Sequence, residues 1–438
     1  MQNKTFSLLT AALLGLFISA PGYAEDLLQI YNLAKENDPT FQAAIAARNA
    51  AYETVKQTRG EFLPNVGLNA GYSDASGDTQ PSSPLTPNTS TSSATTYYSV
   101  TLTQPLYNSN ISSSHSLNKN FVKQADADFK AAEQSLIIRV ARQYFRVLGA
   151  QDNLEFSKAE KNANERQLEQ TKQRFEVGLV AITDVHEAQA RYDLSVSQLI
   201  SAENLLNNEI EALRAITGTY HQSLSTLQED TPLQTPEPTD IEDWTKLALE
   251  QNLNLVSTRY VVEQSRDAVD LQRAGHKPTL NFATTYSHTD SDDFGVTDTT
   301  TYGVQFNMNL FAGGTISAYV QQAEYNLTRS MENLEQARRA TQQSVRSAYL
   351  GVLSSISQVK ALKQAVISSE SRLKASEAGF EVGTRTTVDV LDARRELFNS
   401  QREYARSRYD YILQTLTLEE AAGTLEADKL NRVNGWLH

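Results

Sequence analysis

Strict alternation of apolar and polar positions marks two pairs of segments in this chain. From Asn65 to Tyr72, Val66, Leu68, Ala70 and Tyr72 fall on one side and Asn65, Gly67, Asn69 and Gly71 on the other. Tyr98, Val100 and Leu102 likewise oppose Ser99, Thr101 and Thr103. The pattern returns with Leu280, Phe282, Thr284 and Tyr286 against Asn281, Ala283, Thr285 and Ser287. It returns again with Tyr302, Val304, Phe306, Met308 and Leu310 against Gly303, Gln305, Asn307 and Asn309. A period of two predicts strands with one apolar face, here over about 62–73, 96–107, 278–289 and 301–311. The opposite face is polar but uncharged.

Elsewhere the period is seven. Val345, Val352, Val359, Val366, Leu373 and Phe380 recur at heptad spacing, and the corresponding first-half positions are Val140, Val147, Leu154, Lys161, Leu168 and Phe175. Neither about 109–176 nor about 314–381 contains proline. Each stretch is expected to form one long helix of roughly 100 Å at 1.5 Å per residue. Sustained heptads predict packed, left-handed supercoils rather than isolated helices. Shorter return helices are expected over about 184–217 and 389–422. Opening helices are expected from Asp26 to Gly60 and from Asp243 to Gly275, each stopped by its glycine.

These elements form one design used twice. Phe175-Glu176-Val177-Gly178 returns as Phe380-Glu381-Val382-Gly383, Asp184-Val185 as Asp389-Val390, Tyr144 as Tyr349 and Gly218 as Gly423. Pro64 and Tyr72 match Pro278 and Tyr286 at a slightly larger offset. The excess falls in the Ser-, Thr- and Pro-rich segment Ser76 to Thr96, longer than its partner around Asp290 to Thr301, so both are expected to be surface loops. The division is then a first repeat over 25–218, a connector over 219–243 containing Pro232, Pro236 and Pro238, a second repeat over 244–425, and a tail over 426–438.

Before the first repeat, Lys4, the apolar run from Phe6 to Ala20 and the small residues of Gly22-Tyr23-Ala24 predict a signal peptide over 1–24. The run covers about 15 residues against the roughly 20 of a spanning helix. The chain is therefore expected to be exported, with no membrane-crossing helix after cleavage. Among its 438 residues there is no cysteine, which excludes disulfides, thiol catalysis, cysteine metal sites and lipid attachment through a cysteine. The net charge of -13 argues against nucleic acid as a partner. The mean hydropathy of -0.44 describes a well-solvated surface. His115, His186, His221, His276, His288 and His438 form no close ligand pair, and no nucleophile elbow, phosphate loop or zinc motif is present. No enzyme, metal or cofactor is expected.

Alternation alone suits a soluble sheet with one buried face equally well. Strand lengths near ten residues and the loop-end placement of Tyr72, Tyr98, Tyr286 and Tyr302 favour a membrane barrel with an aromatic girdle. Four strands cannot close such a barrel, and lipid tolerates no open edge. Three copies would supply about twelve strands, and helices running on from those strands would extend the lumen as a tube. The turns near Gly178 and Gly383 then become the tips farthest from the membrane. Glycine permits each reversal, and Asp184 and Asp389 suit the N-termini of the returning helices.

At those tips the residues resemble a known family. Arg174-Phe175-Glu176-Val177-Gly178-Leu179-Val180-Ala181-Ile182-Thr183-Asp184-Val185 and Val382-Gly383-Thr384-Arg385-Thr386-Thr387-Val388-Asp389-Val390-Leu391-Asp392-Ala393 are similar to the two hairpin-tip signatures of the outer membrane factors, exit ducts of tripartite efflux and type I secretion systems. The resemblance covers essentially all of the chain after the leader.

The resemblance implies a mixed α and β membrane protein. Its homotrimeric twelve-stranded transmembrane β-barrel would stand in the outer membrane lipid of a Gram-negative bacterium, continuous with a long α-helical barrel in the periplasm. It also implies a duct for small toxic compounds and secreted proteins, working with a periplasmic adaptor and an inner-membrane pump. Asp389 and Asp392 match the acidic rings of the pore entrance, where crowded carboxylates should attract cations and raise some of their pKa values. A helix cap accounts for Asp389 equally, as its repeat partner Asp184 indicates.

The resemblance further implies that Arg385, whose repeat partner is Val180, closes the entrance by bonding to Thr183 and Asp184. Phe380 stands where the family often has tyrosine, so a hydroxyl link is missing and closure should rest more on Arg385. Val177, Gly178, Leu179, Val382, Gly383 and Thr384 match the adaptor-docking tips. The competing expectation is a structural trimeric stalk or adhesin with a non-conducting barrel.

Overall fold

The computed structural model describes residues 24–79, 89–221, 223–229 and 231–438. The leader expected over 1–24 lies outside these, apart from Ala24, as does the centre of the Ser76 to Thr96 segment.

In chain order the elements are α1 (Leu27–Asn37), α2 (Pro39–Gly60), β1 (Asn65–Thr79), β2 (Thr89–Asn108), α3 (Ser109–Glu176) and α4 (Ile182–Thr217). The second half contributes α5 (Ile241–Gln251), α6 (Leu253–Arg273), β3 (Thr279–Ser291), β4 (Gly295–Asn307), α7 (Thr315–Glu381), α8 (Thr387–Ala422) and α9 (Ala427–Asn434).

Each opening segment is two helices rather than one. Pro39 has no N–H to continue α1 and disfavours helical backbone at Asp38. Asp38 instead ends α1 and caps α2, its carboxylate accepting from the Phe41 N–H at 2.9 Å. Asn252 divides α5 from α6 in the same way, accepting from the Leu255 N–H at 3.0 Å while its amide donates to the Ala421 carbonyl at 3.0 Å. The tail is not featureless either: α9 buries Leu430 and Val433.

The four strands form one antiparallel sheet in the order β1-β2-β3-β4, so the two halves join where β2 pairs with β3. Register aligns Val66 with Leu102, Thr284 and Tyr302 across the sheet, and Leu68 with Val100, Tyr286 and Thr300. The apolar faces of all four strands thus coincide, and large side chains on it, including Leu68, Tyr72, Tyr302 and Phe306, are exposed.

Two expectations about the strands need correction. The Ser- and Thr-rich segments are largely ladder: β1 runs to Thr79 and β2 starts at Thr89, while β3 and β4 are separated only by the turn Asp292 to Phe294. Polar β-branched residues sustain backbone pairing as well as apolar ones do. β4 ends at Asn307, so Met308 and Leu310 lie beyond it, and Gly313 and Gly314 turn the chain into α7 with φ of 60° and 83°. In β2 the register shifts between Pro105 and Tyr107, since proline has no N–H for the ladder.

Below the sheet, α3 pairs with α4 and α7 with α8, while α3 also packs against α6 and α8. The main core surrounds the middle of α3, where Leu136, Tyr144 and Phe145 share one buried cluster with Leu27 and Ile30 of α1, Val352 of α7 and Ile412 and Leu416 of α8. Here the connector wraps the bundle. Glu25 bridges to Leu224 and Leu227 to Leu437. The Tyr144 hydroxyl donates to the Ser225 carbonyl at 2.7 Å, and its repeat partner Tyr349 donates to the Thr239 carbonyl. Toward the tips polar residues join the buried seam beside Leu168, Val390 and Leu391, with Ser157, Asn164, Gln167 and Thr171 on α3 and the Ser369 and Ser400 hydroxyls 3.0 Å apart.

Candidate functional site at the helical tips

Both reversals use the same backbone chemistry. At the end of α3, Gly178 has φ 78° and donates to the Phe175 carbonyl at 2.9 Å, while the Leu179 N–H reaches Arg174 at 2.9 Å. At the end of α7, Gly383 has φ 77° and donates to Phe380 at 3.2 Å, while the Thr384 N–H reaches Gly379 at 2.8 Å. These bonds satisfy carbonyls that the helix ends leave without partners, and glycine takes the left-handed conformation at least cost. The turns leave Val177, Leu179 and Val382 largely in solvent. Exposed apolar side chains therefore stand at both turns.

The returning helices start differently. Thr386 and Asp389 exchange bonds in a complete capping box. Asp184 reaches back to the Ala181 N–H at 3.1 Å, but Ala181 has no side-chain oxygen to return the bond. The Thr386 N–H and hydroxyl hold the Asp389 carboxyl below the usual carboxylate range against the opposing effect of desolvation, with weaker help from the charges of Arg385 and Arg372. Within one copy this carboxyl is therefore lowered, not raised; the raising expected from crowding needs other copies nearby.

Among the described residues of one copy, no hydrogen bond or ion pair joins Arg385 to Thr183 or Asp184. The Arg385 stem instead lies over Gly379: a Cβ there would stand 2.6 Å from Arg385 Cγ. Gly379 was not singled out from sequence, although it sits one residue before Phe380. Phe380 has its own partner, the Arg174 guanidinium 4.6 Å from the ring centroid. That cation–π contact needs no hydroxyl.

Asp392 is not bare. Its Oδ1 accepts from Arg191 Nη2 at 3.1 Å and forms an ion pair with Arg395 Nη2 at 3.4 Å. Arg191 also holds Glu187 through Nε at 3.0 Å. Arg394 joins Glu377 at 2.9 Å and the Ala163 carbonyl at 3.2 Å, and Arg402 joins the buried Glu160 at 3.0 Å. Guanidinium groups therefore lace α8 to α3, α4 and α7. The Glu187-Arg191 spacing of four residues was visible in the sequence, but its bond across to Asp392 was not.

The described residues hold no cluster of metal-ligating side chains and no helix long and apolar enough to cross a membrane. What the tips offer is charge, exposed apolar side chains and tight glycine turns.

Comparison with known proteins agrees along the whole chain. Residues 30–219 and 244–424 match the model of the family described as outer membrane efflux protein. The chain is 40% identical over 443 residues to the outer membrane protein TolC of Vibrio cholerae, covering 100% of this chain and 99% of that one. It is 28% identical over 431 residues to the alkaline protease secretion protein AprF of Pseudomonas aeruginosa, covering 95% and 88% respectively. Its fold matches the CmeC outer membrane channel of Campylobacter jejuni with a TM-score of 0.79 at 18% identity, over 93% of this chain and 89% of that one.

Proposed function

Because the chain belongs to the outer membrane efflux protein family, it is an outer-membrane exit duct for efflux and type I secretion, and we propose that three copies close around one continuous lumen. The observation that carries this reading is the unfinished edge. The sheet ends in open ladders at β1 and β4. The flanking helices also leave apolar residues in water: Leu194 and Ile200 on α4, and Leu350 and Ile367 on α7. A copy placed on each side would pair β4 with β1 and cover these residues, and three copies give twelve strands and a helical tube. The family is one of channels, and nothing in the relatives favours the stalk or adhesin.

In that assembly the apolar sheet face meets lipid and the tips point into the periplasm. Asp389 and Asp392 line the entrance, and Arg385 closes it by reaching Thr183 and Asp184 across neighbouring tip helices. Phe380, lacking a hydroxyl, contributes packing against Arg174. Val177, Gly178, Leu179, Val382, Gly383 and Thr384 receive the periplasmic adaptor, which couples the duct to an inner-membrane pump. The polar residues in the seam of the lower helices support a moving entrance, because serine and threonine contacts exchange at less cost than interlocked apolar ones.

The test is reconstitution of the purified protein in planar lipid bilayers, with subunit number measured by mass in detergent. Trimers giving discrete conductance steps are expected. Inserted trimers that conduct nothing, with or without substitutions at the tips, would overturn the duct reading.

A further inference from the structure

Asp389 and Asp392 occupy different electrostatic surroundings although both belong to the proposed acidic entrance. The groups bonded to the Asp389 carboxylate are the neutral N–H and hydroxyl of Thr386, both 2.9 Å from Oδ2. They orient the carboxylate without cancelling its charge. The groups on Asp392 are two guanidiniums, from Arg191 on α4 and Arg395 on its own helix. Arg191 is further held through Nε by Glu187 one turn earlier, so its Nη2 is directed across the gap between hairpins. Arginine's planar fork suits such a double engagement, one edge on each acid.

We propose that Arg191, seconded by Arg395, determines the ion preference of the entrance by neutralising Asp392 within each copy, leaving Asp389, to which no guanidinium is bonded, as the acid that a passing ion meets. Glu187, Arg191, Asp392 and Arg395 form a four-member set of zero net charge. The neighbouring Arg394 adds no free charge, being engaged by Glu377 at 2.9 Å. In a trimer the mouth then presents one ring of free carboxylates, not two. A polyvalent cation binds strongly where it can reach several carboxylates at once, so pairing the second ring weakens its hold. Arg191 thereby acts as a specificity-determining residue whose effect reaches the ion through Asp392.

This inference rests on the entrance reading of Asp389 and Asp392, and the experiment separates the two. The full-length protein and its Arg191→Gln, Arg191→Gln/Arg395→Gln, Arg191→Lys and Asp389→Asn forms are reconstituted in planar bilayers, with trimer integrity checked for each. Two quantities are read: the reversal potential in a potassium chloride gradient, and the concentration of a trivalent hexammine cation giving half-block from the periplasmic side. The double variant is expected to become more cation-selective and to lower the half-block concentration roughly three- to tenfold. Arg191→Lys should stay close to the parent, because it keeps the charge.

Unchanged selectivity and block in the double variant, with both quantities altered by Asp389→Asn, would overturn the role of Arg191 while keeping the acidic entrance. If conductance rises but the reversal potential does not move, Arg191 only ties the hairpins together, and the proposal also fails. If Asp389→Asn changes nothing either, the acids do not govern the mouth and both readings fall together.

Discussion

Thr386 donates to Asp389 twice, its N–H and hydroxyl each 2.9 Å from Oδ2, and Asp389 returns its own N–H to the Thr386 oxygen at 3.2 Å. One side chain therefore closes a helix end and carries charge at the proposed entrance. The two roles are compatible because a cap needs an acceptor, and a carboxylate accepts best when ionised.

The first prediction concerns pH. The Thr386 bonds keep the Asp389 carboxyl below the usual range, so it stays charged while pH falls through that range and is neutralised only below it. Cation preference should persist accordingly. In Thr386→Val, which removes one donor, the loss of preference should move to higher pH; reversal potentials recorded across a pH series check this. Coincident curves for the two forms would separate the selectivity from Asp389.

Arg385→Ser should enlarge the single-channel conductance and shorten closed intervals. The bond it removes would be a charge-assisted link worth about 1.5 to 3 kcal/mol where shielded, and less where exposed. Conductance equal to that of the parent would take Arg385 out of closure. Gly379→Ala should act in the same direction, because the added methyl displaces the Arg385 stem.

Asp38 and Arg139 give a stability test away from the entrance. Asp38 is only 3% exposed, and its oxygens accept from Arg139 Nη1 at 3.2 Å and Nη2 at 2.5 Å. Burial pushes this carboxyl up, but Arg139 and the Phe41 and Thr40 N–H groups outweigh it, so the net position is below the usual range. The depressed pKa means a contribution fully present above the ordinary value of about 3.9 and lost as pH falls through the folded value. Arg139→Ala should cost about 1.5 to 3 kcal/mol at neutral pH and make acid unfolding begin at higher pH, both measurable by thermal melts across pH.

Gly383 and Gly423 have nearly the same φ, 77° and 79°, yet should respond differently to alanine. At Gly383 a Cβ meets open space, so the left-handed strain of about 1 to 2 kcal/mol is local. At Gly423 it would collide with the Gln251 carbonyl at the break between α5 and α6. Gly383→Ala should assemble with normal yield, whereas Gly423→Ala should lose most of its trimer, as size-exclusion chromatography would record.

The same contrast shows where sequence stops being sufficient. The repeat pairs Gly218 with Gly423, and both end a helix in the left-handed conformation. Only the fold sets Gly423 against backbone and Gly218 beside the Asn37 side chain. Tyr144 and Tyr349 likewise recur in sequence, but the connector carbonyls they bind, Ser225 and Thr239, are distant in the chain and unrelated by the repeat.

Strand faces, the long proline-free helices, the paired turns and the resemblance at the tips were legible because each depends on neighbours a few residues away. Period two gives a strand face, period seven a helical seam, and glycine before an acidic residue a reversal. The helix break at Asp38 is equally local, written in Asp38-Pro39, because proline has no N–H to continue the helix. The sequence by itself therefore determined which segments are strand and which are helix, and that the two halves share one plan. Only the tertiary structure decided that Asp392 is bonded to Arg191, that Phe380 lies under Arg174, that Arg385 rests on Gly379 and that polar residues join the lower seam. The Asp392–Arg191 and Phe380–Arg174 pairings join positions on different helices, and their existence depends on supercoil phase and helix rotation. A shift of one residue in register would send each side chain to another neighbour, and no local pattern encodes that choice.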